Sequence, residues 1–548
     1  MSDDARVDPR NPVLDDDDIA RIVERGTRIT LKDGEPLFSA GEHRGRFHVV
    51  LSGAIEIVDR STGEPRALDV HGPGQFTGDI DIVKRRRPVV SAAARGDTEV
   101  VALRSSEVRR LIAERPRLGD VLLRAFIARR EQLVEAGYYV IRVIGAATSR
   151  DAFRVREFLS RNQVPFEWVD VGDEERVTEL LRDFGVESGD LPVVFAENQP
   201  LLRNPSTREL ADALGLRRPL GNDAYDLIVV GAGPAGLGAA VYAASEGLRT
   251  VVLEAVAPGG QAGTSSRIEN YLGFPTGITG AELTDRATIQ AQKFGALLSS
   301  PDVAVRLDPG SPHHVVRLES GEEARARAVL IATGADYRKL DVPGRERFDG
   351  TAVFYAATPM ELTACRGSDV VVVGGGNSAG QAVMFLAEHT RRVGLLLRGG
   401  DLRANMSSYL ADRIEATPNV EVRTFTEIHA FRGDDALEGV DVENTRTGET
   451  ETLRVPAVFS FIGATPRTRW LPASLATSER GFVLTGRAAR ASGRWPLERE
   501  PYFLETSCPG VFAAGDVRLE STPRIASAVG EGAMAVKFVH AFLADTGD

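Results

Sequence analysis

Cysteine is almost absent: 548 residues carry only Cys365 and Cys508. Two thiols so far apart form no Cys-x-x-Cys and no thiolate metal cluster, and they exclude a disulfide-rich scaffold. We read them as two buried free thiols in preference to one disulfide. The eight histidines include no His-Glu-x-x-His, so no metal site is expected. The adjacent His313 and His314 would point to opposite faces of a strand. No run of about 18 apolar residues occurs, and the acidic start MSDDARVDPR carries no charged-apolar-small leader. The expectation is a cytoplasmic protein with no membrane span. Basic charge is in deficit as well. Lys and Arg total 66 against 78 Asp and Glu, a net charge of −12, which argues against nucleic acid as a partner.

What is present is length and apolar content. A chain of this size with 43% hydrophobic residues exceeds one core and predicts three or four domains. From about 30 to 105, short β-rich segments such as HVVLSGAIEIV alternate with Gly/Pro/Asp turns, and helical spacing follows in SSEVRRLIAERPRLGDVLLRAFIARREQL. From about 138 to 216 come strand YYVIRVIGA, helix RDAFRVREFLSRN, strand FEWVDV, helix RVTELLRDFGV, strand LPVVFA and helix STRELADAL. Alternation of this kind predicts a small α/β domain. LRRPLGNDA, 216–224, reads as a linker.

The remainder carries two strand–turn–helix–strand units. The first turn is Gly231-Ala232-Gly233-Pro234-Ala235-Gly236, and its second strand ends in Glu254. Glycines there allow the tight turn and close approach to a pyrophosphate, the helix N-terminus offers oriented N–H groups, and the carboxylate suits ribose hydroxyls. The second turn is Gly374-Gly375-Gly376-Asn377-Ser378-Ala379, and its second strand ends in Arg398 with Arg403 close by. An arginine in place of an acid suits a 2′-phosphate. The pair predicts FAD in the outer domain and NADPH in an inner domain nested within it.

These motifs resemble the low-molecular-weight thioredoxin reductase family across nearly all of 223–548. GGQAGTSSRIENYLGFPTGITG places Gly260, Gln261 and Asn270 at that family's FAD-contact positions. IATGADYRKLDVPG, with Thr333 and Gly334, is similar to the segment leaving the FAD domain, and FIGATPRTRWL, with Gly463, to the return. GVFAAGDVRLESTPRIASAVGEGAMA resembles the closing FAD motif. There the resemblance implies Gly515 and Asp516 at the ribityl chain and Arg524, Ile525 and Ala526 toward the isoalloxazine. It also implies two interleaved three-layer domains, FAD-binding at 223–338 and 461–548 and NAD(P)H-binding at 339–460, in a homodimer with a hinged inner domain. The family's Cys-Ala-Thr-Cys falls on Ala356-Ala357-Thr358-Pro359, so both redox cysteines are missing.

PGQFTGDIDIVKRRRPVVSAAA resembles the phosphate-binding cassette of cyclic-nucleotide-binding domains, which implies a β-roll with helices over 1–135. Gly78 and Asp79 match the ribose-binding pair and make a nucleotide-like effector conceivable. Val89, after Pro88, stands where that family has arginine. Loss of a charge-assisted phosphate contact costs about 1.5–3 kcal/mol, and Lys84–Arg87 read as a solvated face. Residues 138–216 resemble a thioredoxin or glutaredoxin unit with Ser149-Arg150-Asp151-Ala152 at its Cys-x-x-Cys and Pro192 at its cis-proline position. Both dithiol positions are therefore empty. The expected activity is NADPH oxidation through FAD, with electrons passing directly to a redox protein, quinone or other non-disulfide acceptor. The alternatives are a redox-sensing or interaction protein with little turnover, and thioredoxin-disulfide reduction.

Overall fold

A computed structural model of the protein describes residues 8, 10–40, 46–59, 66–78, 88, 90–135, 141–147, 149–171, 185–196, 200–221, 223–265, 267–434 and 436–547. It groups into two compact units. The first comprises 1–147, 164–219 and 289–297, and the second 148–163, 220–288 and 298–548.

The first unit opens with helix α1 (Asp16–Arg25), capped by Asp15, whose side chain accepts from the Asp18 N–H. A β-roll follows, built from β1 (Thr27–Leu31), β2 (Pro36–Phe38), β3 (Arg46–Asp59), β4 (Arg66–His71), β5 (Phe76–Thr77) and β6 (Ser91–Arg104). Its order is β1-β6-β3-β4, with β2 on β6 and β5 on β3. Helices α2 (Ser105–Glu114) and α3 (Pro116–Glu135) come next. Phe47, Phe76 and Phe126 are fully buried and meet at ring separations of 5.4–6.1 Å. These large rings join the strands to α3 and bury much apolar surface beside the aliphatic core.

A second sheet in this unit has the order β10-β9-β7-β8, from β7 (Ile141–Gly145), β8 (Phe166–Asp170), β9 (Val193–Ala196) and β10 (Leu202–Arg203). β7 and β8 are parallel, and β9 runs antiparallel to β7. The Leu191–Pro192 bond is cis, as the sequence resemblance implied. The expected helix RVTELLRDFGV falls largely outside the described residues. Helix α4 (Arg150–Arg161), which lies between β7 and β8 in sequence, groups with the second unit. Helix α5 (Thr207–Ala213) is closed at its start by a Ser206/Glu209 capping box.

The second unit contains the two nested layers. In the outer one, β11 (Tyr225–Val230) lies parallel between β12 (Thr250–Leu253) and β16 (Glu323–Ile331). β13 (Leu297–Ser299), β14 (Ala304–Asp308), β15 (His314–Leu318) and β27 (Val511–Ala513) complete that sheet. Helix α6 (Pro234–Ser245) belongs to this unit, and α7 (Gly280–Lys293) begins in it, its residues from 289 grouping with the first. β17 (Ala335–Tyr337) pairs with β26 (Ala464–Pro466), so the two covalent passages to the inner layer form one antiparallel ribbon.

After that ribbon come α8 (Arg345–Phe348), β18 (Val353–Phe354) and α9 (Pro359–Leu362). The inner sheet, β18-β25-β19-β20-β21, is parallel throughout and uses β19 (Asp369–Val373), β20 (Arg392–Leu397), β21 (Val420–Thr424) and β25 (Val458–Ser460). Helices α10 (Asn377–Ala387) and α11 (Ser408–Ala416) cover it, and β22 (Thr426–Arg432), β23 (Gly439–Asn444) and β24 (Thr450–Leu453) make a separate antiparallel sheet. Near-continuous apolar strands such as DVVVV explain why this sheet is parallel and covered. Helix α12 (Gly486–Ala491) and the long α13 (Ile525–Asp545) end the chain. The multidomain order read from the sequence is the one observed, a β-roll first and the paired dinucleotide-binding α/β layers last.

Candidate functional site

The first glycine turn is enforced by contact. A Cβ on Gly231, at φ +105°, would stand 2.3 Å from the Ala332 carbonyl oxygen, and one on Gly236 would stand 1.8 Å from that of Gly231. Neither can be relieved by a rotamer change, because the obstacle is backbone. Gly233 is the N-cap of α6, with no side-chain capping bond and Pro234 next, so first-turn N–H groups remain open to an anion. A Cβ on Gly260 would lie 3.0 Å from the Gly233 Cα. The two loops thus pack backbone to backbone. Helix α13 packs closely on α6: a Cβ on Gly532 would stand 2.0 Å from the Ala235 carbonyl oxygen.

Glu254 is buried, and its two carboxylate oxygens accept from the Ala232 N–H at 2.7 Å and the Val256 N–H at 3.0 Å. It therefore braces the turn. Gln261 donates to the Ala335 carbonyl, Thr333 donates to the Arg467 carbonyl at 2.9 Å, and Asn270 is exposed. Gly334 and Gly463 adopt positive φ at the two passages between layers. The Gly515 N–H donates to Glu531 at 2.7 Å, and Glu531 is paired with Arg518. Burial, with Glu531 adding to it, pushes the Asp516 carboxyl upward. Arg524 is the exposed N-cap of α13, whose first turn holds Ile525 and Ala526.

The second turn repeats the construction. A Cβ on Gly374, at φ +140°, would stand 2.4 Å from the Phe461 carbonyl oxygen. Gly376 caps α10 without a side-chain bond. Asn377 accepts from the Ser407 N–H at 2.7 Å, Ser378 is exposed, and Ala379 is buried in the inner core. The two arginines differ. Arg398 is exposed at the end of β20 and bonds to no described residue. Arg403 is held by Asp412 at 2.5 Å and by Glu415 at 2.6 Å. Arg398 thus stands exposed just past β20, whereas Arg403 pairs with two acids of α11.

At the segment 356–359, Ala356 is half-buried, Ala357 buried, and Pro359 begins α9. Glu361, buried and raised by its burial, accepts from the Thr358 N–H at 2.8 Å and from the Thr358 hydroxyl. The spacing Thr-x-x-Glu thus lets one carboxylate take both Thr358 donors at the start of α9. Both cysteines are free and buried. Burial, with Glu361 nearby, pushes the Cys365 thiol up to about 11, and burial also raises Cys508. Nothing here activates a thiolate.

Two residues near the first turn carried no sequence signal. Tyr337 is pushed up to about 12 by burial, with Asp516 and Arg161 among its neighbours. Arg161 reaches the Gly260 carbonyl at 3.4 Å from helix α4. Ser149 simply caps α4, accepting from the Ala152 N–H. In the first unit, the Gly78 carbonyl accepts from Arg129 at 2.8 Å. Asp79, Lys84–Arg87 and Val89 lie outside the described residues.

The backbone cradle at each glycine turn fits a dinucleotide, since each is kept clear by glycines where any side chain would collide. Residues 225–532 match the pyridine nucleotide-disulphide oxidoreductase family, and residues 28–115 match the cyclic nucleotide-binding domain. The chain is 38% identical over 312 residues to a thioredoxin reductase of Treponema pallidum, covering 57% of this chain and 94% of the relative. It is 35% identical over 322 residues to that of Bacillus subtilis, covering 58% and 95%. Among solved structures, Lactococcus lactis thioredoxin reductase superposes with a TM-score of 0.53 at 28% identity, over 59% of this chain and 99% of that one. The chain belongs to the pyridine nucleotide-disulphide oxidoreductase family, as a thioredoxin reductase-like member preceded by a cyclic nucleotide-binding domain.

Proposed function

We propose that the protein is an FAD-dependent NADPH oxidoreductase that passes electrons from flavin directly to a non-disulfide acceptor. The observation that carries this reading is the state of its thiols: a chain with two cysteines, both buried, unpaired and unactivated, offers no exchange-competent dithiol. FAD bound at the first turn would take a hydride from nicotinamide and hand electrons onward, chemistry that belongs to the cofactor.

The chain's own residues bind and orient. Gly231, Gly233 and Gly236 would admit the pyrophosphate to the α6 N-terminus, and Glu254, which braces that turn, would meet the ribose. By the family resemblance, Gly515 and Asp516 would hold the ribityl chain. Gly374 and Gly376 would admit NADPH, and Arg398 would pair with its 2′-phosphate. Arg403, paired with Asp412 and Glu415 at the surface, would have to give up those exposed ion pairs to join it.

By family resemblance the outer layer, 223–338 with 461–548, holds FAD, the inner, 339–460, holds NADPH, and the protein works as a homodimer. In the first domain Gly78 and Asp79 would receive a nucleotide-like effector. Anaerobic stopped-flow with NADPH and NADH, followed by mixing with oxygen, quinone, ferredoxin or thioredoxin disulfide, tests the reading. Fast bleaching with NADPH and reoxidation by a non-disulfide acceptor is the expected result. Failure to bleach would leave a nucleotide-binding sensor instead.

A further inference from the structure

Helix α4 lies outside the residues that match the oxidoreductase family, which begin at 225, yet both its ends are fastened to that region. At its start, Arg150 donates to the Glu346 carbonyl and, at 2.8 Å, to the Arg347 carbonyl. These belong to the four-residue α8, whose last carbonyls have no intrahelical partner. One turn on, Phe153 packs against the inner core, its ring 6.1 Å from Phe354. Ala357 belongs to the same core cluster. Glu157 lies near enough to add to the upward push on Glu361.

At its far end α4 grips the outer layer. Arg161 reaches the Gly260 carbonyl at 3.4 Å, and Asn162 donates to the Val256 carbonyl at 3.2 Å. A single helix therefore touches the inner layer at 346–361 and the outer layer at 256–260. The only covalent links between those layers are the two strands of the β17/β26 ribbon.

We propose that α4 is a resident strap: it occupies in cis the surface flanking residues 356–359 and fastens the inner layer to the outer. While it is seated, no protein partner gains the face that a disulfide substrate would need. A partner that takes electrons must approach the outer layer elsewhere. The proposal stands apart from the cofactor reading, since access to 356–359 is a property of the polypeptide alone.

The test uses the full chain carrying Cys365→Ser, Cys508→Ser and Ala356→Cys, labelled with a maleimide, with and without Arg150→Ala and Phe153→Asp. Releasing the strap is expected to speed labelling at position 356 about tenfold or more, the factor that a 1.4 kcal/mol shift in opening equilibrium produces. Hydrogen exchange of 353–362 without the engineered cysteine, scored relative to β11, is the second readout, and it too is expected to accelerate. If both rates change by less than about threefold, the strap does not exist.

Discussion

Cys365 provides the sharpest quantitative prediction, because any disulfide chemistry in this chain must use one of two thiols. Its pKa is pushed up to about 11, first by burial and then by Glu361, and the residue is 1% exposed. At pH 8 such a thiol is thiolate in about one molecule in a thousand, whereas an ordinary cysteine is ionised in about one in four. Ionisation alone slows attack by roughly 250-fold, before burial restricts access. Treatment of the native protein with an aromatic disulfide reagent at pH 8 should therefore release almost no chromophore over minutes. The same protein in guanidinium chloride should release two equivalents, one per cysteine. Each added pH unit below about 11 should speed the native reaction of Cys365 tenfold, as its thiolate share grows. Anaerobic NADPH should expose no new thiol. A native thiol that reacts at the free-peptide rate, or a reactive thiol that appears with NADPH, would refute the reasoning.

Gly236→Ala places a methyl 1.8 Å from a backbone oxygen, so it should cost about 3 kcal/mol or more and yield protein depleted of flavin by absorbance and of lower Tm. Arg398→Glu should raise KM for NADPH about tenfold or more while sparing NADH. Arg403→Ala, whose parent side chain is already paired, should alter either KM less than about twofold. His314 is pushed down to about 4 by burial. The unfolded chain then binds a proton that the folded protein refuses, so His314 destabilises increasingly as pH falls from about 6.5 to 4, by up to about 3 kcal/mol. Denaturation midpoints across that window should flatten in His314→Asn.

Much of the site was legible because it is made of sterics that only one residue type satisfies. Gly231 and Gly374 each press against the carbonyl of a neighbouring strand end, and such contacts oblige glycine at fixed spacing from an apolar strand. The alternation of strand and helix gave the layers for the same reason. Arg403 shows the limit of proximity in sequence: its partners Asp412 and Glu415 are on a later helix, and nothing local announces them. Glu254 was read as a ribose ligand, while its bonds to Ala232 and Val256 depend on how the turn folds back. The seat of α4 is least legible of all. Arg150 finds its acceptors 196 and 197 residues away, and no periodicity or motif encodes a contact of that range. Gly78 was placed, with Arg129 on its carbonyl, whereas its neighbours Asp79 and Val89 lie outside the described residues.

The decisive measurement is anaerobic NADPH reduction of the flavin-loaded Cys365→Ser/Cys508→Ser double variant, followed by reoxidation with the acceptor panel. Bleaching and reoxidation at the parent rates, with thioredoxin disulfide inert in both proteins, is the predicted result. Electron flow that disappears with the two thiols, in a variant that still binds FAD, would contradict a direct flavin route.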